Sequence, residues 1–202
     1  LIRAMRARKA APSVAAGPPG HLTSFQQGLG TLTETLAARV EVRTGVTVTG
    51  LRPGWVVETS EGEVRADAVV LATPAFASAT LIGGLDEDGA AALQGVPYVP
   101  VGVVCQAFPR ADFAAPDGFG VLVPRAAGLD VLGTLFTSNL FPSHAPDEHF
   151  LIRSMVGGAL RPDLVALDDA ALTGRVNAAN QQLLGPLPDP VHTAVYRHPR
   201  GI

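Results

Sequence analysis

Between Gly118 and Gly158 the chain alternates short aliphatic and β-branched runs with glycine and proline, and no other stretch limits the fold as strongly. GFGVLVPR, LGTLFTSNLFPSHAP and LIRSMVGG read as three strands joined by loops, at Val121 to Val123, Val131 to Phe136 and Phe150 to Val156. An apolar platform is the expected product.

A chain of 202 residues, 47% of them hydrophobic, can bury a sizeable core as one domain or two small ones. Its formal charge is −3 and no run of Lys or Arg follows residue 9, which argues against nucleic acid and for a small organic substrate. The one cysteine, Cys105, excludes an intrachain disulfide framework and a cysteine-cluster metal site, and it reads as a small buried hydrophobe. A reducing compartment is compatible with it. Every apolar run is broken well short of the roughly 20 residues that a membrane-spanning helix needs. Histidines 21, 144, 149, 192 and 198 stand at no metal-site spacing, so no metal is expected. No nucleophile elbow and no phosphate-binding lysine loop is present either.

Residues 1–10 carry a basic, helix-like pattern that Pro12 and the Gly17-Pro18-Pro19-Gly20 cluster end. Leu32, Leu36 and Val40 recur at helical spacing, and Thr31 with Glu34 offers a capping box, which predicts a helix over 31–40. Short β segments follow at Val46 to Leu51, Trp55 to Thr59 and Val64, with turns at Pro53-Gly54 and Glu61-Gly62. Asp67 to Ala72 then predicts a buried strand that runs into Thr73-Pro74, where Thr can cap a helix and Pro can open it. Such an elbow aims backbone N–H groups above the sheet edge, although an ordinary βα turn reads these residues equally well. Further along, a helix capped by Asp86, a central strand over Tyr98 to Phe108, a helix capped by Asp168 and a strand over Val191 to Tyr196 are expected. In the Asp168 helix, Leu172, Val176, Ala179 and Leu183 share one face, and Gly185-Pro186 ends it.

In this order and spacing, GFGVLVPR, LGTLFTSNLFP, HAP and MVGG resemble the flavin-dependent protoporphyrinogen and coproporphyrinogen oxidases of the amine-oxidase-like flavoprotein superfamily. FQQGLGTL from Phe25, AVVLATP from Ala68, RPDL from Arg161 and YRHPR from Tyr196 extend the resemblance over nearly the whole chain. The resemblance implies an α/β (α+β) fold: the middle part of an interleaved FAD-binding domain plus a substrate domain with a mixed, mainly antiparallel sheet flanked by helices. Residues 1–20 would be a helix end and linker, 21–82 part of the FAD-binding domain, and 83–202 part of the substrate domain.

The implied activity is FAD-dependent oxidation of coproporphyrinogen III or protoporphyrinogen IX to the porphyrin, with molecular oxygen as acceptor, in haem biosynthesis. The Ala, Gly, Pro and Arg bias suggests a GC-rich bacterial source and leans toward coproporphyrinogen without deciding it. By the resemblance, Val46 would present its backbone to the adenine of FAD, and Thr73 and Pro74 would run beside the cofactor. Leu122, Leu135 and Met155 would line the tetrapyrrole pocket, provided strand register brings them to one side; a place in the core is the alternative. No catalytic side chain is nominated, because the isoalloxazine takes the hydride and the protein orients and shields. A cytoplasmic place is implied, with peripheral membrane contact and a homodimer left open.

The family's strand with G-x-G-x-x-G and its closing flavin segment are missing from this sequence. An internal fragment is therefore expected, one that neither holds FAD tightly nor turns over alone. Competing readings are another flavoprotein of the superfamily, such as a carotenoid desaturase or an amine oxidase, and a non-catalytic tetrapyrrole-binding remnant.

Overall fold

The computed structural model describes residues 24–202, so the basic helix expected over 1–10 and the linker to 20 lie outside the described residues. Helix α1 spans Gly30–Ala37 and ends earlier than the periodicity predicts. The capping box is not formed: Leu29 occupies the cap position without a side-chain bond, and Thr31 lies inside the first turn. The other threonine hydroxyls turn back on the helix, Thr33 Oγ1 donating to the Gly30 carbonyl at 2.8 Å and Thr35 Oγ1 to that of Thr31 at 2.7 Å.

Strands β1 (Val48–Arg52), β2 (Val56–Thr59) and β3 (Gly62–Arg65) form the expected antiparallel meander in sequence order. The first turn needs left-handed backbone at Gly54 (φ 78°) and Trp55 (φ 57°), a conformation that Gly54 supplies without strain. Arg52 ties the strands together on the surface, its Nε 2.6 Å from Glu58 Oε1 and its Nη2 on Glu63.

The expected strand over Asp67 to Ala72 is not found. The segment is extended, but among the described residues no strand pairs with it, and Val70 is 90% exposed. An apolar run becomes a strand only where a neighbour takes its backbone hydrogen bonds. The elbow after it forms one residue later than predicted. Pro74 is the cap residue and α2 runs over Ala75–Ile82, while Thr73 makes no cap bond and instead shares a 2.7 Å hydroxyl–hydroxyl bond with Ser78. Helix α3 (Glu87–Gln94) is capped as expected, Asp86 Oδ1 accepting from Gly89 N at 2.9 Å.

The second sheet contains β4 (Val101–Pro109), β5 (Gly120–Leu122), β6 (Gly133–Phe136), β7 (His149–Gly157) and β8 (His192–His198). Their order is β5-β6-β7-β4-β8, and every ladder is antiparallel. The short helix α4 (Thr137–Leu140) follows β6, and α5 (Asp169–Leu184) crosses one face of the sheet. Leu172, Val176 and Ala179 from α5 pack with Val104, Val131, Val156 and Leu164, as the shared helical face predicts. Phe108, Phe113, Phe136, Phe150 and Ile152 make a second cluster at the other end.

Asp168 Oδ1 accepts from Ala171 N at 2.8 Å and so satisfies one of the free donors at the start of α5. Asp168→Ala is expected to lower stability by about 1 kcal/mol, read as a drop in the urea midpoint with an unchanged slope.

Candidate functional site

Residues that face each other across an antiparallel ladder point to the same side of the sheet, and the side alternates along each strand. One row across the sheet runs Leu122, Gly133, Met155, Val103 and Tyr196, from β5 to β8. The next runs Gly120, Leu135, Arg153, Cys105 and Ala194, and a third holds Leu151, Ala107 and His192. Leu122, Leu135 and Met155 therefore stand on one face.

That face is the open one. The residues pointing the other way, Val104, Gln106, Thr134, Ser154 and Val156, are fully buried on the side that α5 covers. On the open side Leu122 is 65% exposed and Leu135 and Met155 are half-buried among the described residues. Gly133 lies between Leu122 and Met155, where a Cβ would come within 2.7 Å of the Val121 carbonyl oxygen and 3.3 Å of Leu122 Cδ2. Neighbouring strands lie about 4.8 Å apart, so Leu122 and Met155 flank a shallow trough about 10 Å across.

Two adjoining hollows lie over the face. One of about 420 Å³ is lined by Cys105, Leu151, Tyr196 and three histidines, His144, His149 and His192. The other, about 270 Å³, is lined by Leu135, Arg153, Phe141 and the Gly28-Leu29 turn, and it shares His144 with the first. His144 stacks on Phe141 with ring centroids 4.8 Å apart. The loop leading into β5 is held by Asn139, whose Nδ2 donates to the carbonyls of Pro116 at 2.8 Å and Gly118 at 3.0 Å. Burial pushes the Cys105 thiol up, and the nearby Arg153 charge opposes this only in part. The thiol therefore stays protonated and serves as an apolar patch of the floor.

Arg153 and the convergence of His144, His149 and His192 were missed from the sequence. Arg153 carried a signal, since it is two residues from Leu151 and from Met155 in one strand and must share their face. The histidines carried none, because they come from the loop before β7, from β7 itself and from β8. Among the described residues no group of three or more His, Cys, Asp or Glu could hold a metal ion.

Val46, Thr73 and Pro74 lie in the part of the chain that precedes the five-stranded sheet. Val46 precedes β1 in an extended segment, and its backbone N–H and C=O have no backbone partner among the described residues. Thr73 and Pro74 are exposed at the start of α2. The elbow is less free than expected, because the Ala75 N–H donates to the Tyr98 hydroxyl at 2.9 Å. A peptide at Val46 with no backbone partner among the described residues suits the hydrogen-bonding edge of an adenine, and the exposed elbow leaves room for a bound cofactor, so these residues fit a flavin dinucleotide.

Comparison with known proteins points the same way. Residues 4–199 match the family described as flavin containing amine oxidoreductase. The chain is 29% identical over 206 residues to protoporphyrinogen oxidase 1, chloroplastic, of Arabidopsis thaliana, across 91% of this chain and 38% of that protein. It is 40% identical over 101 residues to protoporphyrinogen oxidase, mitochondrial, of Nicotiana tabacum, across 48% of this chain and 20% of that one. A crystal structure from Exiguobacterium, assigned as a protoporphyrinogen oxidase, superposes with a TM-score of 0.77 at 22% identity, over 92% of this chain and 42% of its own. That last likeness is one of fold. The chain spans less than half the length of each of these relatives.

Proposed function

The chain belongs to the flavin containing amine oxidoreductase family, and from that premise we propose that it forms the substrate face and part of the cofactor site of an FAD-dependent porphyrinogen oxidase. The observation that carries the reading is the register that brings Leu122, Leu135 and Met155 onto one open, apolar face. A porphyrinogen is a broad, largely apolar macrocycle, and aliphatic side chains on neighbouring strands can hold one side of it without supplying a reactive group.

In this proposal residues 21–82 belong to the FAD-binding domain and 83–202 to the substrate domain. Val46 meets the adenine through its backbone, and Thr73 and Pro74 run beside the cofactor. The flavin, when bound, supplies the hydride acceptor, and molecular oxygen is the final oxidant. Leu122, Leu135 and Met155 orient the macrocycle and exclude water from its lower side. The protonated Cys105 thiol adds apolar surface and no nucleophile.

Coproporphyrinogen III and protoporphyrinogen IX are both substrates this face could carry in haem biosynthesis. Among the described residues no helix is long and apolar enough to cross a membrane. A cytoplasmic location with peripheral membrane contact belongs to the proposal, whereas the plant relatives carry chloroplastic and mitochondrial in their names.

The test uses a longer protein that carries this chain together with the family's G-x-G-x-x-G strand and closing flavin segment. It is expected to be yellow, with flavin absorption, and in air to convert a porphyrinogen into fluorescent porphyrin while consuming oxygen. A flavin-bearing protein that leaves both porphyrinogens untouched and oxidises an amine would sink the reading, and so would a folded protein that takes up no flavin.

A further inference from the structure

On the open face of the five-stranded sheet, the rows that hold Leu122, Leu135 and Met155 contain one arginine and no carboxylate. Arg153 stands in mid-sheet with Leu135 on one side and Cys105 on the other, two residues along β7 from Met155. It is exposed, it lines the hollow beside Leu135, and it has no acidic partner among the described residues. Other arginines of this sheet and its helix are engaged: Arg175 reaches Asp130 at 3.3 Å, and Arg197 lies 2.5 Å from Asp169. The arginine on the apolar floor is left to meet something from outside.

A guanidinium at such a place has a definite chemistry. Its methylene stem lies along apolar surface while the planar fork stays solvated, and that fork matches a carboxylate with paired N–H donors. A macrocycle resting on Leu135 and Met155 carries its propionate groups on the rim, at the end of short flexible arms. We infer that Arg153 is the carboxylate-recognition residue of this face and holds a rim propionate of the macrocycle. The inference rests on the proposed function and deepens it, because it makes recognition of the substrate partly electrostatic and assigns that part to β7. A tetracarboxylate such as coproporphyrinogen offers a propionate on every ring, so it satisfies Arg153 in any rotation about the macrocycle axis. A dicarboxylate does so only in some.

The test titrates coproporphyrin III and its uncharged tetramethyl ester into the intact, flavin-loaded protein, with porphyrin fluorescence as the readout. Arg153→Leu is expected to weaken the acid about 10-fold, the size of one charge-assisted hydrogen bond, and to leave the ester unchanged. Arg153→Lys should recover part of the loss, and added salt should weaken the acid more steeply in the wild type than in Arg153→Leu. A matching titration with the dicarboxylate protoporphyrin is expected to show a smaller loss. The side chain is exposed, so neither variant should shift the unfolding midpoint. Equal losses for acid and ester, or no loss for either, would overturn the assignment while leaving the apolar platform intact. Failure of the wild type to bind either compound would remove both the platform reading and the assignment with it.

Discussion

Asn180→Leu is expected to destabilise the protein by about 2–4 kcal/mol. Asn180, Thr134 and Ser154 are each fully buried between α5 and the sheet. Thr134 Oγ1 donates to Asn180 Oδ1 at 2.7 Å, Asn180 Nδ2 donates to Ser154 Oγ at 2.9 Å, and the two hydroxyls lie 2.9 Å apart. Leucine has as many side-chain heavy atoms as asparagine and is bulkier, so no cavity forms, and the loss comes from hydroxyls that keep their burial and lose their partner, with some overpacking added. Two such losses at about 1–3 kcal/mol each, reduced by the bond the hydroxyls can still share, give the stated range.

Urea denaturation measures it. The triple variant Thr134→Val, Ser154→Ala, Asn180→Leu should recover part of the loss, because replacing every partner leaves nothing unsatisfied. A single variant within about 0.5 kcal/mol of the wild type, the scatter expected of a surface change, would mean the seam does not hold α5 to the sheet.

Local periodicity made the elements of the second sheet legible. Val121, Leu135 and Phe150 lie in runs whose composition and punctuation suit only strands, and Leu172, Val176 and Ala179 repeat at a helical interval over enough turns to fix α5. The caps at Asp86 and Asp168 were readable because each needs only a carboxylate three residues before a free N–H. The Thr31 box failed for the same local reason. Its helix begins earlier, at Gly30, after the Gly28 turn (φ 88°), so the threonine no longer sits where it can cap.

Long-range pairing was less legible. Asp67 to Ala72 has a strand's composition and lacks a strand's neighbour among the described residues. The face shared by Leu122, Leu135 and Met155 depends on two ladder registers, which hydrophobicity alone does not set when both sides of a strand are apolar. The resemblance named those three residues; the ladder put them together. Arg153 follows from the same ladder once Met155 is placed, since an interval of two residues preserves the face.

Met155→Asp and Leu135→Asp are each expected to reduce macrocycle binding by more than about 100-fold while changing stability by less than about 1 kcal/mol, and that pairing separates a binding surface from a core. Core positions behave in the opposite way: a carboxylate forced among Val104, Val156 and Leu172, all fully buried, would unfold the domain before any ligand entered. Met155 and Leu135 are only half-buried, so in the free protein the new carboxylate can reach water and the fold loses little. Bound macrocycle removes that water. The carboxylate must then be desolvated against an apolar ring, or protonated, and either course costs several kcal/mol. Protonation gives a signature that a packing defect lacks: as the pH falls through the range of the introduced carboxyl, the gap in affinity between Met155→Asp and Met155→Asn should close, because the macrocycle's own propionates titrate alike with both. Fluorescence titration of porphyrin across pH, beside thermal denaturation of the same samples, reads both quantities. Near-normal binding in the aspartate variants would place the macrocycle elsewhere, whereas loss of fold in step with loss of binding would return Leu135 and Met155 to the core.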